Sequence, residues 1–215
     1  MSDFIAGICV GFSQVASGHP LDTIKVLMQN GQNWNGLSLK DYYRGWHFPL
    51  VSSVFFNFTV FPVYERSKVY LDSSFLAGCV AGAIVSPFQY WSDVCKIKKQ
   101  TKQSVNLRVL FKSFGFPLST YREILGMGFY FGTYNYLKEE LGFNPFFAGG
   151  LGGLANWTLT YPLDVIRCRQ IAFNINIKES FNKGNLWKGY GICALRAVFV
   201  NGISFTVYEN VKKCF

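Results

Sequence analysis

Charge is scarce in this 215-residue chain: Asp, Glu, Lys and Arg make up 15% of it, and acids are the rarer sign, 12 against 21 bases. Histidine is rarer still, with two residues, and neither has a plausible ligand neighbour, so no metal centre and no cofactor is expected. The six cysteines, at 9, 79, 95, 168, 193 and 214, form no C-x-x-C and mostly lie in apolar segments, which reads as small embedded thiols. A Ser–His pattern and a phosphate loop are both missing, and no paired carboxylates suited to acid–base catalysis stand out, so the chain does not read as an enzyme. The bases give a net charge of +9 but are scattered rather than gathered on a polar domain. That distribution argues against a nucleic-acid partner and favours contact with anionic lipid.

What the chain does have is apolar length. Half of it is apolar, 18% is aromatic, and 22 residues are Phe, although mean hydropathy is only +0.17. Residues 4–21, 74–92 and 146–163 carry no formal charge, and 45–64 carry one His and no acid, Lys or Arg. Stretches near this length can cross a bilayer, so the windows predict a polytopic membrane protein. The low mean hydropathy then implies that some helix faces line water. Lys98, Lys99, Lys102 and Arg108 cluster in one connecting segment and Lys178, Lys183 and Lys188 in another. A positive-inside bias puts both segments on one side. Met1 stands almost against the first apolar segment, so any targeting signal is expected to be internal.

A threefold internal repeat organises the rest. Asp22, Asp93 and Asp164 are spaced by 71 residues, and Lys25, Lys96 and Arg167 follow each by three. Gly7–Gly11, Gly78–Gly82 and Gly149–Gly153 repeat in phase as G-x-x-x-G pairs, which let helix backbones approach closely in lipid. The repeats run about 1–71, 72–143 and 144–215, in a single domain of residues 1–215. Each reads as two long helices: 3–29 and 47–70, 75–100 and 117–140, 146–171 and 190–213. Short amphipathic pieces fall near 37–43, 105–113 and 177–183. The fold class is thus all-α, with six membrane helices in three pseudo-symmetric pairs. Pro20 and Pro162 precede their Asp by two, whereas Trp91 takes that place in repeat 2 and Pro87 stands four residues earlier, which moves the expected kink by about a turn.

The segments "HPLDTIKVLMQ" and "YPLDVIRCRQ" resemble the P-x-D/E-x-x-K/R signature of the mitochondrial carrier family, and the likeness covers essentially the whole chain. A second signature, F/Y-D/E-x-x-K/R, is matched by Tyr64-Glu65-x-x-Lys68 and Tyr208-Glu209-x-x-Lys212, and by Tyr134-Asn135-x-x-Lys138, where the acid is lost. The resemblance implies six tilted helices around a water-filled cavity, with alternating access through two gates. A matrix-side gate would pair Asp22 with Lys96, Asp93 with Arg167 and Asp164 with Lys25, with Gln29 and Gln100 at glutamine-brace positions and Ile171 at the third. A cytoplasmic-side gate would pair Glu65 with Lys138 and Glu209 with Lys68, while Asn135 faces Lys212 without an ion pair. Tyr64, Tyr134 and Tyr208 match tyrosine braces. The same resemblance implies a monomer in the mitochondrial inner membrane, both termini on the intermembrane-space side, with an anionic lipid such as cardiolipin as a partner. The chain is well below the family's usual length, which pared-down loops and termini explain.

Aligned on their tyrosines, the second helices of the three repeats (the even helices) place Ser52, Arg122 and Arg196 at one depth, followed by Ser53, Glu123 and Ala197. This level matches the family's substrate contact points, and Arg122–Glu123 resembles the pair found in carriers of amino acids, carnitine and related zwitterions. An Arg can hold a carboxylate bidentately, Glu123 can balance a cationic nitrogen, and Asn57 and Asn201 can donate or accept further along. Neighbours on a helix point about 100° apart, so Arg122 and Glu123 are expected to face the solute rather than each other. The expected function is secondary transport of a small zwitterionic or cationic solute. A non-transporting scaffold of the same fold, or a nucleotide carrier, are the alternatives; Glu123 disfavours the second.

Overall fold

The computed structural model describes residues 2–103, 115–197, 199–200 and 203. Among them the chain is helical and contains no strand. Helix α1 covers Ser2–Gln29, α2 Leu39–Tyr42, α3 His47–Tyr70, α4 Ser74–Gln100, α5 Phe116–Asn135, α6 Pro145–Phe173 and α7 Ile177–Asn182. Residues 190–197 begin a further helix, α8. Helices α1, α3, α4 and α6 hold 28, 24, 27 and 29 residues. At 1.5 Å per residue they are about 36–43 Å long.

Local chemistry sets the boundaries. Ser73 caps α4 by accepting from the Leu76 amide, and Ser38 does the same for α2 from the Asp41 amide. Proline early in α5, after Gly115, suits the first turn, where an amide would be unpaired anyway. Past Asn135, α5 widens into a π turn over Tyr136–Glu140. The expected short piece at 105–113 lies outside the described residues.

The expected bilayer spans need correction on one point. Among the described residues no helix is long and apolar enough to cross a membrane. The helices have the length; polar residues such as Gln14, Ser52, Gln89 and Asn156 face an internal cavity and dilute each window.

Three apolar clusters surround that polar axis in place of one core. Val26, Tyr90, Val94, Ile97, Cys168, Ile171 and Ala172 join α1, α4 and α6 near their C-terminal ends. Val60, Tyr64, Ala77, Ala81, Val85, Met127 and Phe131 join α3, α4 and α5. Tyr161 and Val165 of α6 meet Cys193 of α8. The first long helix of each repeat (α1, α4 and α6, the odd helices of the six) therefore converges with the others at one end, where the acid–base pairs lie.

The glycine pairs do not act alike. A Cβ on Gly78 would sit 2.5 Å from the Met127 carbonyl oxygen, and one on Gly82 would sit 2.5 Å from that of Glu123. In repeat 2 the backbones of α4 and α5 thus touch, which seats the Arg122–Glu123 turn. Gly11 and Gly153 have nothing within 4 Å of such a Cβ. In repeat 3 the close approach belongs instead to Gly152, 2.9 Å from the Tyr130 carbonyl oxygen. Gly82→Ala is therefore expected to cost about 1–3 kcal/mol through overpacking, and Gly153→Ala about 0.5 kcal/mol or less. Thermal unfolding of the two variants checks this; equal losses would show that the pairs are equivalent after all.

Candidate functional site

A cavity of about 300 Å³ opens between the helices, at the small end of the range for small-molecule sites. It is lined by Asp22, Asp93, Glu123 and Asp164, and by Lys25, Lys96, Arg122, Arg167 and Arg196, so cations exceed carboxylates by one. Its floor is the ring of repeat-related charges. Lys96 Nζ lies 2.6 Å from Asp22 Oδ2, Arg167 Nη1 lies 2.5 Å from Asp93 Oδ2, and Lys25 Nζ lies 2.8 Å from Asp164 Oδ2. The odd helices bring these side chains together because each Asp and its base three positions on share one helix face.

The ring is not three isolated pairs. Arg167 Nη2 also reaches Asp164 Oδ1 at 2.9 Å, which links the Asp93 and Asp164 arms. Gln29 donates to Asp164 Oδ2 at 3.0 Å and to the Tyr161 hydroxyl at 3.3 Å, lying beneath the Lys25–Asp164 pair. Gln100 behaves differently. It donates to the Thr23 hydroxyl at 3.0 Å and not to an ion pair, because Thr23 stands beside Asp22 and offers the nearer acceptor. At Ile171 the third arm is apolar and packs in the cluster beneath the ring.

One expectation for the mid-cavity residues is corrected. Arg122 and Glu123 do pair with each other, through Nη1 and Oε1, with both side chains buried. Their backbone directions differ by about 100°, but two long, buried side chains turn toward each other to avoid an unpaired charge. Arg122 Nε also comes within 4.0 Å of Asp164 Oδ1, and its guanidinium lies over the Trp157 ring. Arg196, expected at the solute contact level, lines the cavity and has its Nε 2.5 Å from Asp22 Oδ1, so Asp22 is held between Lys96 and Arg196. Ser52 and Ser53 line the cavity, with hydroxyls donating to their own helix at Pro49 and Leu50. The helix through Asn57 is described but its side chain is not, and Asn201 lies outside the described residues.

The odd helices contribute residues that alignment of the even helices could not find. Trp157 carries Lys25 Nζ 4.1 Å over its ring, and Gln14 and Asn156 also line the cavity. Trp157 precedes Asp164 by seven, and Gln14 and Asn156 precede Asp22 and Asp164 by eight. That is about two turns, hence the same face, and was the signal available. His19 donates Nε2–H to the Arg44 carbonyl oxygen at 3.1 Å and walls the cavity beside Asp22.

The other charge tier is apart. No Glu65–Lys138 ion pair forms among the described residues; Glu65 is exposed, and Lys138 lies over the Tyr134 ring. Lys68 instead reaches Asn135 Oδ1 at 3.2 Å and Glu139 Oε1 at 3.1 Å. The π turn carries Glu139 back beside Asn135, which donates to it at 2.8 Å. A carboxylate thus stands one turn beyond the acid that the signature lacks. Tyr64 stacks on Phe131 with ring centroids 3.7 Å apart, and its hydroxyl has no partner and braces no ion pair among the described residues. Tyr208, Glu209 and Lys212 lie outside the described residues. Outside the long helices, Asp41 is held below the ordinary carboxylate range, mainly by Lys102 and then by Ser38.

Comparison with known proteins bears on this arrangement. A family model described as "Mitochondrial carrier protein" matches residues 141–215. The chain is 29% identical to the mitochondrial arginine transporter BAC2 of Arabidopsis thaliana, over 99% of this chain and 90% of that protein. It is 30% identical to the mitochondrial basic amino acids transporter of Bos taurus, over 97% of this chain and 90% of that protein. It is 25% identical to solute carrier family 25 member 45 of Homo sapiens, over 99% and 98%. The first alignment runs over 273 positions, more than the 215 residues here, so the match is full-length but gapped. Repeat spacing, signatures, charge ring and full-length relatives agree: the chain belongs to the mitochondrial carrier family.

Proposed function

We propose that the chain is a secondary transporter that carries a basic amino acid, such as arginine, across the mitochondrial inner membrane by alternating access. The observation that carries this reading is the buried Arg122–Glu123 pair beside Arg196 on the wall of a cavity with a closed charged floor. A zwitterion with a cationic side chain presents a carboxylate for Arg196 or Arg122 and a cation for Glu123. Trp157 adds an aromatic face for that cation. The relatives named as arginine and basic amino acid transporters support the same solute class.

In this reading the six long helices span the bilayer. Both termini lie on the intermembrane-space side, anionic lipid such as cardiolipin binds the basic connecting segments, and the protein works as a monomer. The Asp22, Asp93 and Asp164 ring is the matrix gate, closed here. The tier of Lys68, Asn135 and Lys138, with the residues around Tyr208, is the cytoplasmic gate. A scaffold role was suggested by the loss of acid at Asn135; the Glu139 carboxylate beside it weakens that suggestion.

Competition at the reconstituted wild-type protein tests the solute class. Arginine, its decarboxylated amine agmatine and citrulline, whose side chain carries no charge, are compared as competitors. Arginine is expected to compete at least about tenfold better than either, since agmatine lacks the carboxylate for the arginines and citrulline the cation for Glu123. If citrulline or a nucleotide competes as well as arginine, the assignment to basic amino acids fails.

A further inference from the structure

Below the charge ring lies a second repeat-related set. Leu27, Lys98 and Arg169 are spaced by 71 residues, two beyond each gate base. Arg169 is buried and has no carboxylate partner among the described contacts. It donates Nε–H to the Gln29 carbonyl oxygen at 2.9 Å, tying α6 of repeat 3 to the last turn of α1. Its Nη1 meets the carbonyls of Ser180 and Gly184 at 3.1 and 2.8 Å, and its Nη2 that of Asn185 at 3.4 Å. Lys98, also buried, donates to the Ala172 carbonyl oxygen at 3.2 Å, tying α4 of repeat 2 to the last turn of α6. Gln103 accepts from Lys98 at 2.7 Å and donates to the same Ala172 oxygen at 2.9 Å. Each cation thus neutralises the negative C-terminal end of the next repeat's odd helix.

The third place breaks the pattern. The equivalent of Lys98 and Arg169 is Leu27, which donates nothing, and the last turn of α4 is capped by its own Thr101 hydroxyl. A cavity of about 260 Å³ lies at that seam, lined by Leu27, Thr23, Gln100, Thr101, Asp41 and Lys102. Gln100 Oε1 is buried there with no partner among the described residues. The ties below the ring at this seam are the neutral Gln100–Thr23 bond and the Lys102–Asp41 pair at 3.2 Å, with Lys102 more than half exposed. An exposed pair of that kind holds weakly.

We propose that Lys98 and Arg169 are positioning residues that clamp the closed end of the carrier, and that the missing clamp at Leu27 makes the seam between repeats 1 and 2 the one that parts first. This rests on the transporter reading above. In that cycle the matrix end opens by α1 moving from α4, while the other two seams hold longer.

Three readouts test it, two of them independent of any solute. Amide exchange in detergent is expected to be at least about tenfold faster over 98–101 of α4 than over 27–30 of α1 and 169–172 of α6, because only the latter two are clamped. Leu27→Arg, with Leu27→Lys as a smaller second variant, is expected to slow exchange at 98–101. The same change should raise the unfolding midpoint by about 2–4 °C. It should also lower kcat for arginine uptake several-fold with little change in KM. Arg169→Leu is expected to lower the midpoint, and Arg169→Lys to recover part of the loss. Equal exchange at the three helix ends overturns the proposal whatever the solute. A midpoint that rises with no fall in kcat overturns the opening order, and a midpoint that fails to rise in either Leu27 variant overturns the vacant clamp. Wild-type protein that moves no arginine, with unequal exchange retained, would count against the amino-acid reading and not against the clamp.

Discussion

Asp164→Asn is expected to abolish transport and to cost about 3–5 kcal/mol of stability, the largest single effect at the charge ring. Asp164 is 2% exposed and answers Lys25 at 2.8 Å, Arg167 at 2.9 Å and Gln29 at 3.0 Å, with Arg122 at 4.0 Å. Neutralising it leaves Lys25 with the Trp157 and Tyr161 rings and strips Arg167 of one of its two carboxylates. Asp22→Asn should be milder, since Asp22 is more exposed and its partners Lys96 and Arg196 face the cavity. The same connectivity governs charge swaps. Exchanging Asp22 and Lys96 places a lysine beside Arg196, so Asp22→Lys with Lys96→Asp should restore little uptake. Adding Arg196→Gln should restore more. Uptake and thermal unfolding of the single, double and triple variants check this through their non-additivity. Full rescue by the double variant would mean that Arg196 does not bear on the gate.

Glu123→Gln should cut uptake of a cationic amino acid at least about tenfold, equivalent to about 1.4 kcal/mol. Glu123 is 5% exposed and holds Arg122. Without that carboxylate the cavity wall gains one net positive charge, and Arg122 turns to Asp164, already within 4.0 Å. A cationic side chain then meets repulsion where it met an acid, whereas a purely anionic competitor should bind as well or better. The opposite sign of change for the two ligands is the diagnostic result. A loss of equal size for both would show that Glu123 only holds the helix turn in place. Arg196→Ala removes the cation that Asp22 shares with Lys96, and should weaken every carboxylate solute.

Periodicity made much of this legible. The 71-residue spacing identifies equivalent backbone positions, and α3 spans His47–Tyr70, the range that its apolar run predicts. The family likeness supplied the pairing across repeats, and the distances at Asp22, Asp93 and Asp164 accord with it. Side-chain choice was not legible. Arg196 and Arg122 have several acids within reach, and a sequence register does not say which one a long side chain takes. Trp157 was missed because only the even helices were aligned for solute contacts. The three G-x-x-x-G pairs look identical in sequence, yet only Gly78 and Gly82 both touch a neighbouring backbone, because close approach depends on the facing helix. Glu139 was missed because the signature counts α-helical spacing, and the π turn after Asn135 shifts it.

Uptake of labelled arginine into proteoliposomes, loaded or not with unlabelled arginine, tests the central claim most directly. The account predicts saturable uptake by the wild-type protein that is lost in Asp164→Asn and falls at least about tenfold in Glu123→Gln. Uptake no greater than that of protein-free vesicles, from wild-type protein that unfolds cooperatively on heating, would contradict it.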